Sequence, residues 1–169
     1  SSFGDDGDFT WDGFVERYNA DLANGIGNLA ARILGMVWKY QNGVVDFSLA
    51  RAQQAAPLQE IESLMKPLSG DFSTHLALEK IWHFITSLDQ YIDSSAPWTL
   101  AKEKKTEELA AVLATLVEGV RKTCLLIYPF IPQATQKIWN AYGFEGVKKL
   151  SEVLLPDLEK TFTVKNHFL

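Results

Sequence analysis

The chain has one cysteine, Cys124, in 169 residues. A single thiol excludes an internal disulfide framework and any zinc site built from a cysteine cluster. It fits a reduced, intracellular setting, so a cytoplasmic location is expected. Long apolar runs are also missing: no stretch approaches the ~18 uninterrupted residues of a membrane span. There is no GxxxxGKS/T or GxGxxG loop to cradle phosphate. The three histidines, His75, His83 and His167, form no i,i+4 pair and no HExxH motif, so each reads as a surface or capped histidine. Cys124 sits among Leu125, Leu126 and Ile127 and reads as a buried, inert thiol. No catalytic constellation is visible, and no metal ligand set is assigned. Positive charge is scarce as well. The formal net charge of −5 argues against a coat for nucleic acid that relies on many phosphate contacts. It leaves room for a binder that reads a few unpaired bases by stacking and hydrogen bonding.

What is present is apolar and helically spaced. Hydrophobic residues make up 47% of the chain, and glycine (11) and proline (6) are too few for a disordered or low-complexity protein. The length suits one domain that buries about two thirds of its unfolded surface. The opening "SSFGDDGDF" lacks the basic-then-apolar pattern of a signal peptide. It reads as a loop leading out of a preceding region, which suggests an excised domain: residues 1–9 a linker, residues 10–169 a helical domain.

From Thr10 to Tyr40 the apolar residues Trp11, Phe14, Tyr18, Leu22, Ile26, Leu29, Ile33, Met36 or Val37, and Tyr40 recur at steps of three and four. Thr10 suits the N-cap, and "QNG" at 41–43 ends the helix. Gly25 and Gly27 each cost about 1 kcal/mol against alanine inside a helix, so the helix is expected to bend or pack closely there. Residues 44–57 read as a connection. A second helix is expected over about Leu58–Leu68 and a third over about Thr74–Ser94, with Leu78, Ile81, Ile85, Leu88 and Ile92 inward. A long helix over about Thr106–Tyr128 stops at "YPFIP", and Pro132 starts another that reaches about Tyr142. "KEKKTEE" reads as a solvated face or turn. The tail after Gly143 is weakly patterned. No run alternates at period two. The fold class is therefore all-α, a helix bundle of about five to six helices, its neighbours packed mostly antiparallel through short connections.

Two places could carry recognition. Beside the apolar stripe of the first helix, Asp21, Asn24, Asn28, Arg32, Gly35 and Lys39 form a polar line. Asn28 and Arg32 are an i,i+4 pair, and an amide beside a planar guanidinium suits the edge of a base. Spacing alone favours the alternative, an ordinary solvated flank with an Asn–Arg contact. In "SSAPWTLAK", Pro97 fits the first helical position, with Ser95 or Ala96 as cap, which sets Trp98 in a first turn. Trp98 is either offered to a flat ligand or packed between the third helix and the long one. Trp11, Trp38, Trp82 and Trp139 read as core or boundary residues.

"RYNADLANGIGNLAARILGMVWKYQNG" resembles the first helix of the anticodon-binding domain of the methionyl-tRNA synthetases, a family with an N-x-DLAN-x-x-GNL-x-x-R-x-x-x-M segment there. "ALEKIWHFITSLDQYIDSSAPWTLAK" resembles a later helix of that domain, with its YI-D/N-x-x-x-PW-x-LAK motif, and "LLIYPFIPQATQKIW" its late helices. "FGDDGDFTWDGF" is similar to the segment that leaves the family's catalytic region, and "FTVKNHFL" to the family's end. The resemblance covers about residues 3–142 in order. It implies a bundle of the class I synthetase anticodon-binding type, with the anticodon loop of tRNA(Met), CAU, as partner. It also implies that Asn28 and Arg32 contact the first anticodon base, that Trp98 stacks on it, and that Lys102 serves the same surface. Asp89 stands where the family often has Asn. The chain has no HIGH or KMSKS motif and no zinc-knuckle cysteines. The resemblance therefore leaves ATP, Mg²⁺ and Zn²⁺ to a catalytic domain of the same parent chain, a further partner, and implies that this part does not activate methionine alone. The other readings are the helical anticodon domain of a different class I synthetase and a helical protein-interaction scaffold.

Overall fold

A computed structural model describes residues 10–53, 74–144 and 161–169. The order of elements is α1 (Trp11–Gln41), β1 (Val44–Asp46), α2 (Phe47–Gln53), α3 (Thr74–Ser95), α4 (Pro97–Lys102), α5 (Thr106–Ile127), α6 (Pro132–Tyr142) and β2 (Thr161–Thr163). The helix expected over about Leu58–Leu68 lies outside the described residues, as do residues 1–9.

α1 begins as its sequence dictates. The Thr10 hydroxyl accepts from the backbone N–H of Gly13 at 3.0 Å and satisfies one of the orphan donors of the first turn. The helix ends through Asn42 and Gly43, both left-handed, at φ 54° and 82°. Gly43 is needed on two counts, since a Cβ there would also lie 2.8 Å from the Trp38 ring.

The expected connection over residues 44–57 is corrected in part. Residues 44–46 pair antiparallel with 161–163, Val45 opposite Phe162, and residues 47–53 are helical. Asp46 starts α2 as a side-chain cap: its carboxylate accepts from the Ser48 N–H at 3.1 Å and from the Ser48 hydroxyl at 2.6 Å. Among the described residues the bundle is thus all-α in its layers, with one two-stranded ribbon.

α5 is the centre. Nearly every side chain from Leu109 to Ile127 is buried, as expected of a helix apolar on all sides. Its buried hydroxyls turn inward on their own helix, Thr115 donating to the Ala111 carbonyl at 2.8 Å and Thr123 to the Gly119 carbonyl at 2.7 Å. Glu118 accepts two bonds from Arg121, at 2.9 and 3.0 Å, which pairs this buried charge. Cys124 is buried. Around α5 lie Leu22, Ile26, Leu29 and Ile33 of α1, Leu78, Ile81, Ile85, Leu88 and Ile92 of α3, and Ile138, Trp139 and Tyr142 of α6.

Short turns make α3 and α5, and α5 and α6, antiparallel. α1 behaves differently. Asn19 donates to the Phe130 carbonyl at 3.3 Å, and the Tyr142 hydroxyl donates to the Ala30 carbonyl at 2.6 Å, so α1 and α6 run the same way. Gly25 meets Trp82 and, further along, Arg32 meets Asp93, so α1 is parallel to α3 as well. The antiparallel expectation holds for helices joined by short turns and for α1 against α5, and fails for α1 against α3 and α6, from which a longer stretch of chain separates it. This parallel seam sets the register of the site.

Candidate functional site

Asn28 and Arg32 sit one turn apart on the exposed flank of α1. The i,i+4 spacing allows their side chains to meet, but Arg32 reaches across to α3 instead. It donates to the Asp93 carboxylate at 3.3 Å and stands 4.0 Å from that of Asp89. Asp89 and Asp93 are themselves i,i+4 on α3, so the parallel packing turns both carboxylates toward one guanidinium. Partial burial pushes the Asp89 carboxyl above its ordinary range; Arg32 opposes that rise, and the neighbouring Asp93 charge adds to it.

α3 ends at an elbow. Ala96 takes a left-handed conformation, φ 46° and ψ 66°, and Pro97 opens α4. Proline disfavours right-handed helix at the residue before it, which breaks α3 from α4 at this point. Pro97 is buried and anchors the turn, whereas Trp98 is 45% exposed. That exposure decides against the alternative that packs Trp98 between α3 and α5. The Arg32 guanidinium carbon lies 6.0 Å from the centroid of the Trp98 ring, at the outer range of a cation–π contact. Lys102, four residues on from Trp98, is exposed in the last turn of α4 and shares its face. The arrangement is an open shelf. One wall is an aromatic face, the opposite wall carries guanidinium and amide donors, and two carboxylates lie behind. Such a shelf can hold a planar, hydrogen-bonding ring.

The other aromatic residues divide. Trp139 is buried. Trp38 is half-buried, donates to the Asn166 carbonyl at 2.8 Å and stacks on His167, with ring centroids 3.7 Å apart. Trp82 is a boundary residue, 39% exposed. The Trp11 side chain lies outside the described residues. Nothing in the residue pattern marks Asp93 as the anchor of Arg32 beyond its i,i+4 relation to Asp89. Among the described residues no three of His, Cys, Asp or Glu come together as a metal-holding group. No described helix is long and apolar enough to cross a membrane.

A family model described as "Anticodon-binding domain of tRNA ligase" matches residues 58–166, more than half of the chain. The chain belongs to this anticodon-binding family. A second model, "tRNA synthetases class I (M)", matches residues 1–34. Within this anticodon-binding chain, Asn28 and Arg32 therefore lie in the segment matched by the synthetase model, and Trp98 and Lys102 in the anticodon-domain match. The methionine–tRNA ligase of Fusobacterium nucleatum is 39% identical, over 95% of this chain and 26% of its own length. That of Helicobacter pylori is 30% identical, over 95% and 27%. Among solved structures, Mycobacterium tuberculosis methionyl-tRNA synthetase in complex with methionyl-adenylate superposes with a TM-score of 0.71 at 31% identity, covering 95% of this chain and 33% of that one. The anticodon-binding chain thus spans about a quarter to a third of these relatives.

Proposed function

We propose that residues 10–169 are the anticodon-binding domain of a methionine–tRNA ligase, that residues 1–9 are the linker from its catalytic region, and that the domain reads the CAU anticodon loop of tRNA(Met). The observation that carries this reading is the shelf on which Arg32 and Trp98 face one another across two segments, in a chain of the anticodon-binding family. The mechanism is recognition rather than catalysis. An unpaired base stacks on Trp98, a contact worth about 1–3 kcal/mol. Its edge meets Asn28 and Arg32, and Lys102 faces the same loop. A wrong base leaves those donors and acceptors unpaired, which is where discrimination arises. The parent enzyme joins methionine to tRNA in the cytoplasm, and its catalytic part, a partner of this domain, supplies the ATP, Mg²⁺ and Zn²⁺ chemistry.

The test titrates the chain with a CAU stem-loop and with a stem-loop whose first anticodon base is changed, following tryptophan fluorescence. CAU is expected to bind more tightly and to quench, and Trp98→Phe with Arg32→Ala to abolish the difference. In the parent enzyme Trp98→Ala should cut tRNA charging and spare adenylate formation. Equal affinity for the two stem-loops, or equal damage to adenylate formation, overturns the proposal.

A further inference from the structure

Trp82 lies on the seam that carries the shelf, one stretch further back. Its six-membered ring rests on α1 at Gly25, where a Cβ would come within 2.8 Å of Cζ3 and 3.1 Å of Cη2. The inner edge of the indole is thereby fixed against backbone, while 39% of the residue stays open to solvent. An indole buried on its inner side and open on its outer side is a pre-organised flat surface, and the polar line of α1 runs beside it. Asn24 and Asn28 flank Gly25, and both are exposed. The Thr86 hydroxyl, one turn along α3, is committed to the Trp82 carbonyl at 3.1 Å and leaves the ring uncrowded.

The spacing matches the shelf. Seven residues separate Gly25 from Arg32 on α1, and the same number separate Trp82 from Asp89 on α3. At 1.5 Å per residue that is about 10 Å of seam, close to three base steps at about 3.4 Å each. The electrostatics select the orientation of any strand laid there. Asp21, one turn before Gly25, and Asp89, two turns beyond Trp82, disfavour phosphates on this line. Bases are neutral and carry donors, so they turn inward and the backbone faces water.

Resting on the anticodon reading above, we propose that Trp82 is a second stacking platform, which holds an unpaired base of the same RNA loop other than the one on Trp98. One strand then spans the seam between α1 and α3 with a ring at each end and the Asn24–Asn28–Arg32 line between them.

The experiment uses the whole chain and a set of CAU stem-loops, each with one loop nucleotide made abasic. Trp82→Leu keeps apolar packing on Gly25 and removes the π-face. It is expected to weaken the intact stem-loop by about 5- to 100-fold, and the penalty for one abasic position, distinct from the Trp98-dependent one, should vanish in this variant. Trp82→Phe keeps a face and should retain most of the affinity. Gly25→Ala, favourable for the helix itself, pushes the ring off its seat and should reproduce the same position-specific loss with no fall in thermal stability. The proposal is overturned if Trp82→Leu and Gly25→Ala bind within about twofold of the parent chain, or if their losses fall evenly on every loop position. Failure of the anticodon reading itself shows separately, as equal affinity of the unmodified chain for CAU and changed-base stem-loops.

Discussion

The Arg32 guanidinium stands 6.0 Å from the Trp98 ring centroid, although the two are 66 positions apart in the chain. A planar guanidinium can lie along a ring and donate in a fork, and an ammonium cannot. Arg32→Lys is therefore expected to weaken stem-loop binding by about tenfold, close to 1.4 kcal/mol. Thermal unfolding should barely change, because the side chain is exposed and its pairs with Asp89 and Asp93 are surface pairs. Parallel RNA titrations and melts of the two proteins check both halves.

Gly119 is where α5 accepts α3. A Cβ at this position would lie 2.6 Å from Leu88 Cδ2 and 3.0 Å from Cδ1. Both residues are buried in the densest part of the core, so Gly119→Ala should destabilise by about 1–3 kcal/mol through overpacking, despite the better helix propensity of alanine. Combining it with Leu88→Val should cost less than the sum of the two changes, because the shorter side chain vacates the clash. Denaturant unfolding of the four proteins of this cycle measures the coupling.

Burial raises the Tyr142 phenol well above its ordinary value of 10.0. The folded chain therefore holds this proton where the unfolded chain releases it. The stabilising contribution is complete below about pH 10 and is lost as pH rises toward the folded value, at about 1.4 kcal/mol per pH unit. Tyr142→Phe removes both this slope and the hydrogen bond to the Ala30 carbonyl, the latter costing about 1 kcal/mol at neutral pH. Unfolding free energies between pH 8 and pH 11 should fall more steeply for the parent chain than for the variant.

Asp89 titrates on the acid side with the same sign. Its carboxyl is raised from 3.8, first by burial, so its stabilising contribution is complete below that value and fades as pH rises through the folded one. The effect is small, since about half of the side chain is open to water. Asp89→Asn should flatten that part of the stability profile. It should also tighten stem-loop binding slightly, by removing a negative charge from behind the shelf while leaving the Asp93 bond to Arg32. Melts between pH 3 and pH 6, with one RNA titration at neutral pH, test the pair of effects.

Most of the bundle was legible because its helices are long and amphipathic. Leu78, Ile81, Ile85, Leu88 and Ile92 keep a helical stripe for about four turns, and Thr10, Gly43, Pro97 and Pro132 mark boundaries that local chemistry enforces. What escaped is short or non-local. α2 has seven residues and no stripe, and each strand of the ribbon has three, too few to display a period of two. The parallel course of α1 beside α3 and α6 follows from contacts distant in sequence, 61 residues apart for Arg32 to Asp93 and 112 for Tyr142 to Ala30. The same holds at the shelf. Spacing found Asn28, Arg32 and Trp98 but left each with a bland alternative. The exposure of Trp98 depends on the elbow at Ala96, and the carboxylates that draw Arg32 away from Asn28 come from a helix whose register only packing sets.

α5 is enclosed almost throughout its length, so its amide hydrogens can reach solvent only when the whole bundle opens. The six residues of α4, the five after buried Pro97 all open or half-open to water, exchange through a much shallower opening. The chain therefore runs on two clocks. The slow one belongs to the enclosed helix, and the fast one to the segment that carries Trp98, so the aromatic ring can shift without disturbing the packing beneath it.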